Sequence, residues 1–178
     1  MNMEYRLPEL RDKDEIVSYV EEHYSRNERK ISASIGLTSM PFEEWVEKMN
    51  KNASIPDEAW GKSLEYLVFD NNSRLIGLLS IRYELGDEFA WKFGHIGYGV
   101  RPTERRKGYA TQMLKFALEE CKRLGLNKVI VGCFKKNEAS AKTIMKNGGK
   151  LVKECINEVE INEFWKINLI NQYYEFEV

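Results

Sequence analysis

The sequence predicts a mixed α/β fold: a mostly antiparallel sheet with one central parallel pair of strands. Three observations carry this. Residues 64–69 and 75–83 are short apolar runs separated by Asp70, Asn71, Asn72 and Ser73, a turn composition, and so read as an antiparallel hairpin. Residues 95–100, an amphipathic stretch from position 110, and residues 128–134 read as strand, helix, strand, a crossover that joins parallel neighbours. Two further runs, 151–156 and about 159–169, close the chain as strands.

The remaining elements follow in order. Tyr5 to Leu7 is a short first strand before Pro8. Asp12 or Asp14 caps a helix carrying Ile16, Val17, Tyr19, Val20 and Tyr24. Residues 26–39 are polar and aperiodic and read as a mobile loop. Pro41 suits a helix start, with Phe42, Trp45, Val46 and Met49 on one face. Residues 52–62, with Pro56 and Gly61, form another loop. Gly86, Asp87 and Glu88 make a turn, after which the central strand's run begins near Trp91 or Phe93 and breaks at Pro102. Ala110, Leu114, Ala117, Cys121 and Leu124 mark one helix face, stopped by Gly125. Asn137 caps a helix with Ala141, Ile144 and Met145, which Gly148 ends.

Composition narrows the function classes. With 178 residues and 43% hydrophobic content, the chain suits a single domain over 1–178 with a proper core. A net charge of −1 gives no basic field, so nucleic acid is not expected as a partner. Cys121, Cys133 and Cys155 show no paired spacing, which suggests reduced thiols in a cytoplasmic protein and calls for no metal. The sequence shows neither a signal peptide nor an apolar run of about 18 residues, so no membrane partner is expected. A homodimer is compatible with this composition.

The organising stretch is the junction after residue 100. Arg105, Arg106, Lys107, Gly108, Tyr109 and Ala110 lie between a strand and a helix start. The first N–H groups of a helix have no partner within it and carry the positive end of its dipole. Gly108 lets an anion come close to the backbone, and three cations add charge that phosphate oxygens favour.

Arg105-Arg106-Lys107-Gly108-Tyr109-Ala110 resembles the Q/R-x-x-G-x-G/A signature of the GNAT N-acetyltransferase superfamily. Val100-Arg101-Pro102 before it and Thr111 after it fit as well. Asn137 to Ser140, leading to Asn147-Gly148-Gly149, is similar to that family's N-x-x-S helix and closing turn. The likeness is strong over residues 94–151, about a third of the chain. Within the superfamily, the segment from His95 to Tyr98, with Ile144 and Asn147-Gly148-Gly149, is most similar to a group of bacterial predicted acetyltransferases.

The resemblance implies an acyl-CoA N-acyltransferase fold in which the two parallel strands splay and helices cover both faces. It implies acetyl-CoA as co-substrate, with its pyrophosphate at Arg105, Arg106, Lys107, Gly108, Tyr109, Ala110 and Thr111. Pantetheine would pair with the strand edge at Tyr98, Gly99 and Val100, near Asn137 and Ser140. A backbone N–H there would polarise the thioester carbonyl.

Transfer to an amine of pKa ~10.4 requires removal of a proton. His95 is the candidate base, by its strand position and the pKa of an imidazole. Asp87 or Glu88 could act through water instead, and Tyr98 is a candidate for orienting the acceptor or the thiolate. Many family members carry a proton-donating tyrosine seven residues after the asparagine; here that position is Ile144. Cys133 reads as a core thiol, and Glu154, Glu158, Glu160 and Glu163 as a solvated face, with attraction of a cationic acceptor as the second reading. The expected activity is acetyl transfer to a small-molecule or peptide amine by direct attack in a ternary complex. The second reading is a non-catalytic acyl-CoA-binding module that regulates a partner.

Overall fold

A computed structural model describes residues 2–58, 61–162 and 165–178. Two antiparallel sheets organise them. The first runs in the order β1 (Glu4–Arg6), β2 (Ser63–Phe69), β3 (Leu75–Arg82), β4 (Ile96–Val100). The second contains β5 (Lys128–Phe134), β6 (Lys150–Asn162) and β7 (Trp165–Glu177) in the order β5-β7-β6. The helices are α1 (Lys13–Ser25), α2 (Phe42–Asn52), α3 (Asp87–Phe93), α4 (Tyr109–Arg123) and α5 (Glu138–Lys146).

Successive side chains of a strand point to opposite faces, and both faces of the first sheet are covered. Val68, Leu79, Ile81 and Ile96 pack with Met113, Leu114, Ala117 and Cys121 of α4. Leu67, Phe69 and Leu78 pack with Tyr19 of α1 and with Trp45, Val46 and Met49 of α2. The helix faces expected from spacing are therefore the buried ones.

Four expectations change. The central parallel pair does not form a ladder: β4 and β5 belong to different sheets. Their strand ends are joined by a backbone bond from His95 N–H to Ile130 O (2.7 Å). The turn and strand start expected at positions 86–93 are instead α3. Asp87 and Glu88 in its first turn and Lys92 in its last suit the helix dipole, and Phe89 stacks on Phe93 one turn on. The aromatic run imitates a strand only while position along the helix is ignored. The loop at 26–39 is irregular as expected but anchored: Ile31 and Leu37 are buried, and Trp45 Nε1–H donates to Ile35 O (2.9 Å). Val159 lies in β6, opposite Ile167, and not at the start of the last strand. Among the described residues no helix is long and apolar enough to cross a membrane.

Candidate active site

The space between β4 and β5 beyond His95 is a cavity of about 1180 Å³. An antiparallel ladder turns alternate residues towards its partner strand. Arg82 N–H donates to His95 O, and Arg101 N–H donates to Ile76 O, so the odd positions of β4 face β3. The backbone groups of Ile96, Tyr98 and Val100 therefore face the cavity, and Val100 O is reached there by Arg105 Nε (3.2 Å). This is the free strand edge that the sequence placed at Tyr98, Gly99 and Val100, and all three line the cavity.

At the far end of β4 the chain makes a 3₁₀ turn, Pro102–Glu104, and then the basic loop. Gly108 stands at φ +86° immediately before α4, and Arg106 is also left-handed at φ +63°. A side chain at Gly108 would meet nothing within 4 Å. The glycine thus answers the backbone angle and leaves the helix N-terminus open, with no packing demand on it. Arg105, Arg106, Gly108, Tyr109, Ala110 and Thr111 line the cavity at this end. Unpartnered helix N–H groups beside an open glycine fit a phosphate group.

The cations are less free than their sequence suggests. Arg105 grips Glu28 with two bonds of 2.6 Å. Those hydrogen bonds hold the Glu28 carboxyl down to about 2. Lys107 does not line the cavity; its Nζ bonds Glu104 Oε2 (2.8 Å). Glu104 is buried and also accepts from Arg74 Nη1 (2.7 Å). Glu22 accepts from Thr103 N–H (2.8 Å) and from buried Arg101 (3.2 Å). These acids staple the loop to α1 and to the segment at 26–39. Sequence reasoning missed them because Glu28 and Arg105 are 77 positions apart and no spacing rule connects them.

At the other end of the cavity, the Tyr98 hydroxyl lies 2.9 Å from Ser140 Oγ, bridging β4 to α5. Asn137 caps α5 by accepting from Ser140 N–H (3.2 Å), so the cap and the site share one residue. Asn137, Ser140 and Cys133 line the cavity. Cys133 is therefore a wall thiol and not a core one; burial pushes it up, with Ser140 opposing. Burial likewise pushes the Tyr98 hydroxyl up to about 12.

His95 does not line the cavity. Its Nδ1 accepts from Ile130 N–H (2.9 Å), which places the proton of the neutral ring on Nε2. Neither nitrogen then offers a lone pair to a second proton. Asp87 and Glu88 are exposed on α3 and do not line the cavity either. Glu154 is held by Lys135 (3.1 Å) and Gln172 (2.7 Å), whereas Glu158, Glu160 and Glu163 lie outside the residues whose side chains are described.

A family model described as an acetyltransferase (GNAT) domain matches residues 3–150. The chain belongs to the GNAT acetyltransferase family. Solved GNAT-like structures cover nearly all of it. A ribosomal-protein alpha-N-acetyltransferase in complex with coenzyme A is 19% identical, with 100% of this chain and 95% of that chain covered and a TM-score of 0.71. A spermidine N-acetyltransferase chimera from Vibrio cholerae is 20% identical, with 99% and 96% covered and a TM-score of 0.68. The yncA protein of Salmonella typhimurium, solved with its cofactor acetyl-CoA, is 15% identical, with 98% and 93% covered and a TM-score of 0.66. At these identities the likeness shows a GNAT fold. A search of curated proteins finds no match.

Proposed function

We propose that residues 1–178 work as one cytosolic N-acetyltransferase domain that moves an acetyl group from acetyl-CoA to a primary amine by direct attack in a ternary complex. One observation carries the reading: an open helix N-terminus at Gly108 and the Tyr98–Ser140 pair stand on the same cavity, at the two ends of a free strand edge. Acetyl-CoA would supply the activated thioester. The N–H groups at the start of α4 hold its pyrophosphate, and Arg106 adds charge. The backbone of Tyr98 and Val100 pairs with the pantetheine arm, and an N–H there polarises the thioester carbonyl. The Tyr98 hydroxyl, oriented by Ser140, donates a hydrogen bond to the departing sulfur. The fold neighbours acting on spermidine, and on the N-terminal serine of a ribosomal protein, make both amine types the first acceptors to test.

Turnover of acetyl-CoA against spermidine, a serine-initiated peptide and single amino acids tests the proposal, with coenzyme A binding measured alongside. Acetylation of one of them is expected. Binding without any turnover would instead favour a non-catalytic acyl-CoA module, the reading that Ile144 supports by having no proton to give.

Two mutants refine the roles. His95 is assigned as a strap between β4 and β5. In His95→Ala the Ile130 N–H loses its partner, and stability should fall by about 1–3 kcal/mol, with the low-pH limb of the rate profile unchanged. Burial holds the His95 pKa below its ordinary 6.5, so the unfolded chain binds that proton more readily. Its destabilising effect grows as pH falls through 6.5, and this part should vanish in the mutant when melting is followed against pH. A changed rate limb would return His95 to the base role. Ile144 is fully buried, and its Cγ2 lies 2.6 Å from where a Cβ on Gly149 would stand. Ile144→Tyr should therefore overpack the core, lowering stability by about 1–3 kcal/mol without raising kcat. A gain in kcat would show that a tyrosine can reach the sulfur from there.

A further inference from the structure

The cavity has two sides of different chemistry. Tyr98 and Cys133 pack with the core beneath α4 and α5. Successive residues of a strand point to opposite faces. Gly97 on β4 and Gly132 on β5 therefore turn to the other face, the one that α1 and α2 cover on the first sheet. Both glycines line the cavity, so its wall there is built by their neighbours. A Cβ on Gly97 would stand 3.8 Å from Arg82 Nη2, and one on Gly132 would stand 3.2 Å from the Tyr173 ring. Asn171, two residues before Tyr173 on β7, shares that face and also lines the cavity.

The charge on this side is positive. Arg82 is 7% exposed, and its Nη1 donates to the carbonyl of Gly94 (3.0 Å), the residue that ends α3. Lys92 stands in the last turn of the same helix. Both cations line the cavity, and both are thus held at the end of α3. Glu65 acts on Arg82 from β2, but burial raises its carboxyl well above the usual range, which favours the neutral acid. Among the described residues the carboxylates lining the cavity are Glu28 and Glu104. Glu28 is bonded to Arg105, and Glu104 to Arg74 and Lys107. The second ammonium of a polyamine would find no further carboxylate here, whereas an anionic group would find two cations. Asn171 Oδ1 adds an orphaned acceptor: it is buried with no hydrogen-bond partner among the described residues. A buried oxygen left without a donor costs free energy that a ligand's N–H would relieve.

We infer that the acceptor is an amino acid, whose carboxylate is held by Arg82 and Lys92 and whose amine donates to Asn171 Oδ1. This rests on the acetyl transfer proposed above and names its substrate class. The bond to Asn171 uses an N–H of the neutral amine and leaves the nitrogen lone pair for the acetyl carbon.

The test compares the natural amino acids with their amides, which keep the amine and lose the carboxylate, and with spermidine and the serine-initiated peptide. The fastest amino acid should exceed its own amide by about 10-fold or more in kcat/KM, and should exceed spermidine and the peptide. Calorimetry on the coenzyme A complex should show the same preference in binding. Arg82→Gln should remove most of the preference for acid over amide. If that variant does not fold, Lys92→Glu, at an exposed position, carries the comparison and should lower the preference by about 10-fold. Asn171→Ala should raise KM for the acid and the amide alike, since both present the amine. Equal rates for acid and amide, a preference that survives both cation variants, or faster turnover of spermidine or the peptide overturns the amino-acid assignment and leaves the transferase reading standing. A protein that binds coenzyme A yet acetylates nothing overturns both.

Discussion

Gly108→Glu is expected to lower coenzyme A affinity by at least about 100-fold while the protein stays folded. Two effects are separable. A non-glycine residue at φ +86° is strained by roughly 1–2 kcal/mol, a cost to the fold that the free and bound protein share. The new carboxylate then projects into open space at the start of α4, where like charge against phosphate costs several kcal/mol. Since 1.4 kcal/mol is a factor of about ten in affinity, the charge effect alone reaches the expected loss. The fold should survive because nothing lies within 4 Å of the new Cβ. Gly108→Ala separates the causes: it carries the same strain with neither charge nor reach, and should retain most of the binding. Calorimetry on a mutant shown to be folded by circular dichroism decides. Unchanged affinity in Gly108→Glu would remove the phosphate from this helix.

Tyr98→Phe should lower kcat by roughly 10- to 150-fold and leave coenzyme A affinity intact. Magnitudes decide which role the hydroxyl plays. Its pKa is pushed up to about 12, whereas an ordinary thiol titrates near ~8.5. Full proton transfer from tyrosine to the thiolate is therefore uphill by about 5 kcal/mol. A hydrogen bond to the developing charge needs no such transfer and is worth about 1.5–3 kcal/mol, which is the stated range in kcat. Ser140, 2.9 Å away, keeps the hydroxyl pointed across the cavity. A loss of less than about twofold would mean that the sulfur leaves unassisted. A loss of several thousandfold would mean that Tyr98 transfers the proton after all.

Much of the site was legible because its signals are local. Gly108 before an amphipathic stretch marks an open helix start, and Asn137 three residues before Ser140 marks a capped one. Both depend on neighbours within one turn. The pairing of β2 with β3 followed equally from two apolar runs around a turn. Where the reading went astray, the local pattern was ambiguous. Trp91 and Phe93 suit a strand by type, but the dipole of Asp87, Glu88 and Lys92 and the stacking of Phe89 on Phe93 make that segment helical.

The sequence by itself determined the family, the helix faces, the basic loop before α4, and Tyr98 as a candidate for the role of the family tyrosine whose position holds Ile144. Only the tertiary structure decided what each charged group is free to do. Arg105 reads as a phosphate ligand until Glu28 is seen gripping it, and His95 as a base until Ile130 N–H is found on its Nδ1. The reason is physical. Helix starts and turns are set by interactions a few residues long, whereas the charge and lone pairs of a buried side chain are set by whichever distant backbone or carboxylate the fold brings against it.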